Sequence, residues 1–242
     1  MSILVENLSY SYGRKQVLKE LNFSLTAGFN VLLGPNGAGK STLFSLLTGL
    51  FETGYGEIKI CNVDLIEQKR SALRLMGVVF QQSTLDLDLS VKQNLLYHAS
   101  LHGISPVSAL KNIEPILEQL QLSERLNDRV RQLSGGHRRR LEIARALIHQ
   151  PKVILLDEPT VGLDTDSRGL IIEHVRGLAH ELGICILWAT HLMDEVSGDD
   201  ELILLDKGQV RAQGRCDRLC DDNDTKNVFE LYHKLTSSVE LM

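Results

Sequence analysis

The chain has 242 residues, 43% hydrophobic and 24% charged, which suits a soluble globular protein forming one large domain or a domain with a subdomain. A net charge of −5 argues against a broad nucleic-acid footprint, and four scattered cysteines lack the framework of a secreted disulfide domain. The N-terminus has no signal-peptide pattern and no apolar run approaches the roughly 20 residues that span a bilayer, so the chain is expected in the cytoplasm.

From Ser2 to Leu33 apolar and polar residues alternate, as in Ile3-Leu4-Val5, Val17-Leu18 and Leu21-Asn22-Phe23-Ser24-Leu25. This predicts short half-buried strands, with a turn at Tyr12-Gly13-Arg14. Phe29-Asn30-Val31-Leu32-Leu33 reads as a buried strand and Leu43-Phe44-Ser45-Leu46-Leu47 as a helix. Between them stands Gly34-Pro35-Asn36-Gly37-Ala38-Gly39-Lys40-Ser41-Thr42, which fits Gly, any four residues, Gly-Lys-Ser. Strand, glycine loop and helix are the context of a phosphate-binding loop. Its glycines let backbone N–H groups curl around phosphate oxygens at a helix N-terminus that favours anions. Lys40 is placed to reach the β- and γ-phosphates, and Ser41 to offer its hydroxyl to Mg²⁺.

Gly49 and Gly54-Tyr55-Gly56 break the chain before a strand at Glu57-Ile58-Lys59-Ile60, so the early part predicts an antiparallel sheet beside a nucleotide core. Met76-Gly77-Val78-Val79-Phe80 is a further buried strand, ending in Gln81-Gln82. The region from about Ser90 to Ala146 turns helical. Ser90 is a candidate N-cap. Pro106 to Leu120 suits a second helix, and Leu141, Ala144 and Ile148 line a third. Val153-Ile154-Leu155-Leu156, Ile184-Cys185-Ile186-Leu187-Trp188 and Leu202-Ile203-Leu204-Leu205 are continuous apolar runs, as in parallel strands buried on both faces. A helix between the first two turns Ile171, Val175, Leu178 and Leu182 inward. Asp206-Lys207-Gly208-Gln209 predicts a hairpin turn, Asp221–Asp224 an exposed loop, and Asn227 with Glu230 the cap of a last helix. Cys216 and Cys220 share a helix face but lack the second ligand pair of a structural zinc site. His98 and His102 lie four apart with no carboxylate between them and read as ordinary helix residues.

A phosphate loop needs an aspartate after a buried strand to hold Mg²⁺ through its water shell. Asp157, after Val153-Ile154-Leu155-Leu156, supplies it at the strand edge where ligands of open α/β sheets bind. Glu158 adds a carboxylate that the metal does not need, suited to orienting a water for in-line attack on a γ-phosphate.

Leu133-Ser134-Gly135-Gly136-His137 closely resembles the Leu-Ser-Gly-Gly-Gln signature of ATP-binding cassette proteins, about twenty residues before Asp157-Glu158 as is usual in that family. The resemblance covers nearly the whole chain. Gln81 falls at the family's Q-loop, Gly162-Leu163-Asp164 at its D-loop, His191 in Ala189-Thr190-His191 at its switch histidine, and Tyr12 at its adenine-stacking aromatic. It implies an α/β fold: a P-loop NTPase (RecA-like) core with an N-terminal antiparallel β subdomain and an inserted helical subdomain. The expected divisions are 1–82 (antiparallel sheet and first part of the core), 83–148 (helical subdomain with the signature), 149–206 (rest of the core) and 207–242 (hairpin and helix). Catalytic roles fall to Glu158, His191 and Gln81, and Mg²⁺ contacts to Ser41, Gln81 and Asp157. ATP contacts fall to Tyr12, the loop Gly34–Thr42, Ser134, Gly135, Gly136 and Asp164.

The resemblance further implies a head-to-tail dimer holding two ATP molecules, each between one subunit's phosphate loop and the partner's signature. His137 departs from the usual glutamine. Arg138-Arg139-Arg140 is expected as a solvated or salt-bridged helix face rather than a nucleic-acid contact. With one phosphate loop, one signature and no membrane span, the chain is expected to power a separate permease from the inner face of the plasma membrane. Ser83–Leu89, with Leu85, Leu87 and Leu89, would form much of the groove that receives the permease. A soluble cassette ATPase acting on ribosomes or DNA is the alternative; a P-loop kinase or GTPase fits less, given the signature and Glu158. Asp157-Glu158-Pro159-Thr160-Val161-Gly162-Leu163-Asp164 and Leu85-Asp86-Leu87-Asp88-Leu89-Ser90-Val91 resemble ATPases of bacterial export systems with short separate permeases. Gly135-Gly136-His137-Arg138-Arg139-Arg140 and Leu187-Trp188-Ala189-Thr190-His191 look like the cassettes associated with pyrroloquinoline-quinone-dependent alcohol oxidation.

Overall fold

The computed structural model describes residues 1–237. In chain order they form β1 (Ile3–Tyr12), β2 (Lys15–Leu25), β3 (Gly28–Leu33), α1 (Lys40–Leu47), β4 (Glu57–Ile60), β5 (Val63–Asp64), α2 (Lys69–Arg74), β6 (Met76–Val79) and α3 (Val91–Leu101). There follow α4 (Pro106–Gln119), α5 (Gly135–Leu147), β7 (Val153–Asp157), α6 (Thr165–Leu182), β8 (Cys185–Thr190), β9 (Glu201–Asp206), β10 (Gln209–Arg215), α7 (Cys216–Asp222) and α8 (Val228–Ser237).

The strands make two sheets: an antiparallel one in the order β2-β1-β4-β5, and a six-stranded one in the order β10-β9-β3-β8-β7-β6. In the second, only β10 runs antiparallel to its neighbour. Its strands alternate between two cores. Ile154, Leu156, Ile186 and Trp188 face the helices α3 to α6, while Val153, Leu155, Leu187 and Ala189 face α1 and the antiparallel sheet. Burial on both faces explains the unbroken apolar runs. Parallel register leaves the ends of β3, β8 and β7 nearly flush, with Leu33 beside Thr190 and Asp157 beside Ala189.

The helical stretch is set by its caps. Ser90 accepts from Gln93 N at 3.1 Å while the Gln93 side chain accepts from Ser90 N at 2.8 Å, a reciprocal box that starts α3. Asn227 Oδ1 accepts from Glu230 N at 3.0 Å at the start of α8.

Four expectations need correction. Val17-Leu18 and Leu21–Leu25 belong to one long strand, β2, bent at Glu20, whose φ is +49°. Leu182 is 46% exposed, because α6 ends there on left-handed Gly183. Asp221 and Asp222 are exposed but helical, as the last turn of α7. Arg139 and Arg140 are buried rather than on an exposed face, although Arg139 keeps the expected ion pair, to Glu142; their carbonyl partners are described below.

A candidate nucleotide site at the carboxyl edge of the parallel sheet

The chain leaves β3 into Gly34-Pro35-Asn36-Gly37-Ala38-Gly39 and enters α1 at Lys40. Gly37 and Gly39 have φ of +84° and +112°, and a Cβ on Gly39 would lie 2.6 Å from Leu18 Cδ2. A side chain there is strained by conformation and would displace the buried Leu18. No acidic residue occupies the first turn of α1, so its N-terminal amides keep their attraction for an anion. Ser41 is exposed in that turn. Thr42 Oγ1 lies 3.4 Å from the Tyr12 hydroxyl, and the half-exposed Tyr12 ring packs edge-on against Tyr10 and Phe51 beside the loop.

Lys40 is buried, with Nζ donating to Gly34 O at 2.7 Å and Pro35 O at 3.2 Å. Its ammonium lies 3.3 Å from Glu158 Oε1. Burial pulls its pKa below the ordinary lysine value, against the opposing pull of Glu158 and Asp157.

Glu158 is where the strand ends meet. The same Oε1 accepts from His191 Nδ1 at 3.1 Å, so Nδ1 carries the proton, and Oε2 accepts from Gln81 Nε2 at 3.3 Å. Lys40 is the first residue of α1, reached by the loop after β3, while His191 directly follows β8, Glu158 directly follows β7 and Gln81 lies in the segment after β6. These are neighbouring carboxyl ends of one parallel sheet, where ligands of such sheets bind. Asp157, 8% exposed, has an Oδ1 with no hydrogen-bond partner. Burial and the adjacent Glu158 raise its pKa to about 6 against Lys40 and Arg139. A buried carboxylate oxygen without a partner fits a hard oxygen-seeking cation such as Mg²⁺.

A second cluster forms elsewhere. Ser134 caps α5, accepting from His137 N at 3.3 Å, and its Oγ lies 2.6 Å from His137 Nδ1. Asp164 caps α6, accepting from Ser167 N at 2.9 Å and Ser167 Oγ at 2.8 Å, bonds that hold its carboxyl below the ordinary range. The two caps touch through glycine: a Cβ on Gly136 would lie 3.1 Å from Ser167 Oγ, and one on Gly135 3.1 Å from Leu163 Cδ2. Among the described residues, no hydrogen bond or ion pair joins Ser134, Gly135, Gly136 or Asp164 to Lys40, Glu158 or His191.

Two supporting groups escape sequence reasoning. Arg139 Nη1 donates to Phe80 O at 2.8 Å and to Glu142 Oε2 at 2.7 Å, and Nη2 donates to Gln81 O at 2.9 Å. Glu142 Oε1 in turn accepts from Thr84 N at 3.1 Å. Arg140 donates to Leu120 O at 3.1 Å. The three-residue spacing of Arg139 and Glu142 signals their pairing, but nothing in it points to the carbonyls around Gln81. Glu195, 1% exposed, accepts from Trp188 Nε1 at 2.9 Å and from the Thr160 hydroxyl, tying the segment after Glu158 to the segment after His191. No local pattern announces it.

A family model described as ABC transporter matches residues 18–161. The Nod factor export ATP-binding protein I of Rhizobium meliloti is 40% identical over 246 residues, spanning 99% of this chain and 73% of that protein. The linearmycin resistance ATP-binding protein LnrL of Bacillus subtilis is 36% identical over 228 residues, spanning 93% and 73%. Among solved structures, an ATP-binding subunit of an ABC transporter superposes with a TM-score of 0.84 at 27% identity, covering 98% of this chain and all of that one.

Proposed function

The chain belongs to the ABC transporter family as an ATP-binding, ATP-hydrolysing subunit, and on that basis we propose that it powers export through a separate membrane permease. The relative named for Nod factor export supports the outward direction. No helix among the described residues is long and apolar enough to cross a membrane.

The observation that carries the hydrolytic reading is the meeting of Lys40, His191 and Gln81 on the Glu158 carboxylate. Phosphate oxygens entering the loop compete for Lys40, which otherwise neutralises Glu158. Released from Lys40, Glu158 keeps His191 and Gln81 and becomes a general base for the attacking water. His191 reports the γ-phosphate to Glu158 through the bond they share. Tyr12 stacks on the adenine. Ser41, Asp157 and Gln81 would hold Mg²⁺, which would supply positive charge against the phosphate oxygens. Ser134, Gly135, Gly136 and Asp164 serve the ATP of a second copy, so the working form is a dimer closed by ATP.

Glu158→Gln is expected to bind ATP like the wild type, to hydrolyse it about 100-fold more slowly or worse, and to dimerise only with ATP. Binding is read by calorimetry, turnover by phosphate release and size by light scattering. A wild-type rate removes Glu158 as the base. For the transport role, co-purification with a multi-span membrane protein is expected; stimulation by ribosomes or DNA without such a partner overturns it.

A further inference from the structure

Three histidines from two stretches of the chain converge away from the nucleotide edge. His98 lies in the last turn of α3, His102 is the residue that ends α3, and His149 follows α5. One ring nitrogen from each lies within 4.8 Å of the other two. They line a cavity of 430 Å³ together with Met76, Asp86 and Arg145. His149 is the fixed member. Its Nε2 is 2.9 Å from the Met76 carbonyl, which can only accept, so Nε2 carries the proton and Nδ1 the lone pair. That Nδ1 is buried and has no hydrogen-bond partner. An imidazole that donates from one nitrogen to a backbone carbonyl and leaves the other bare is oriented as metal-ligating histidines are.

We propose that His98, His102 and His149 bind a divalent transition metal ion, with Zn²⁺ the leading candidate and water completing the coordination. Imidazole nitrogens suit Zn²⁺, Cu²⁺ and Ni²⁺, and three protein ligands with one open position is a common zinc arrangement. Four-residue spacing puts His98 and His102 on one face of α3, with ring centroids 5.0 Å apart. Read from sequence, that pair lacks a third ligand; the fold brings it from beyond α5.

Burial, with Arg145 for His98 and His102 for His149, holds both imidazoles down to about 4. At neutral pH these two rings offer lone pairs and no proton has to leave. Arg145 and Arg74 oppose a cation, although the Arg145 guanidinium is tied to Thr84 O at 2.8 Å. The His102 ring stacks on His149 at 3.9 Å and 10°, so their in-plane lone pairs lie in parallel planes and do not converge on one point. Coordination therefore asks His102 to turn its ring, at a helix end followed by left-handed Gly103. A bound ion would tie the end of α3 to the core beside β6, the strand that leads into Gln81.

The test is calorimetric titration of the full chain with Zn²⁺, without nucleotide or chelator, followed by Cu²⁺ electron paramagnetic resonance. Wild type is expected to bind one ion and to show nitrogen couplings. His102→Gln should weaken binding at least tenfold, about 1.4 kcal/mol, and reduce the nitrogen couplings, with ATP binding retained as the check on folding. His149→Gln should behave alike; should its lost bond to Met76 unfold the chain, His102→Gln alone decides. No Zn²⁺ binding, or unchanged affinity in His102→Gln, overturns the proposal.

Discussion

Glu158 combines two unusual features: a left-handed backbone, with φ of +46°, and a carboxylate approached by three side chains from three other segments. A non-glycine residue in that region costs on the order of 1 kcal/mol and persists where its surroundings over-determine it. Here the Glu158 N–H donates to Ala189 O at 2.9 Å, which fixes the turn. Its neighbour Asp157 shows the converse, a charge buried without enough partners. Its folded pKa of about 6 lies above the ordinary 3.8, so the folded chain holds that proton more tightly than the unfolded chain. The contribution to stability is full below about pH 4 and is lost as pH rises through 6. In EDTA and without nucleotide, Asp157→Asn should therefore match the wild-type Tm near pH 4 and exceed it at pH 8. Equal Tm values at pH 8 would sink the burial argument. Lys40, Gln81, Glu158 and His191 are legible in sequence because each sits at a strand end within a recognisable string. The orphaned oxygen of Asp157 is not, because it depends on what the fold fails to place beside it.

α5 links the two clusters mechanically. Its N-terminus carries Ser134, Gly135 and Gly136, and one turn later Arg139 grips the carbonyls of Phe80 and Gln81. Arg139 and Glu142 are both buried, with side chains 9% and 4% exposed, so removing one partner strands the other. Arg139→Ala is expected to lower stability by about 3–5 kcal/mol in denaturant unfolding, because Glu142 keeps its charge without the guanidinium. Arg139→Met combined with Glu142→Leu should recover most of that loss, since apolar residues of similar volume pack without a charge to solvate. A single variant as stable as wild type would show that the pair carries no structural role. The strands were readable as apolar runs, and α3 and α8 from their caps, since those signals are local. Beyond the Arg139–Glu142 spacing, the inward turn of Arg139 and Arg140 is not readable, because Phe80, Gln81 and Leu120 offer them backbone carbonyls, which any sequence offers equally.

Within one chain, the phosphate loop with its carboxylates and the Ser134–Asp164 cluster form separate hydrogen-bonded sets. Both contain helix N-termini, at α1 and α5, and each N-terminus favours an anion. A two-fold dimer in which one copy's Lys40 and the other's Ser134 face the same γ-phosphate uses both, and symmetry then makes two such sites. This arrangement has a consequence that no single-chain site shares. In such a dimer Lys40→Ala would remove the loop's charge, and Gly135→Asp would set a carboxylate against the γ-phosphate held by the other copy. Each variant alone is expected to hydrolyse ATP at only a trace of the wild-type rate. Mixed in equal amounts, half the dimers pair one variant with the other. In those, the intact loop of the Gly135→Asp copy meets the intact signature of the Lys40→Ala copy, while the opposite site carries both lesions. Activity should rise on mixing to about a quarter of wild type if the sites turn over independently. It should follow the ratio of the two proteins, peaking at equal amounts. A mixture no more active than the average of its components would mean that each chain hydrolyses ATP with its own residues alone.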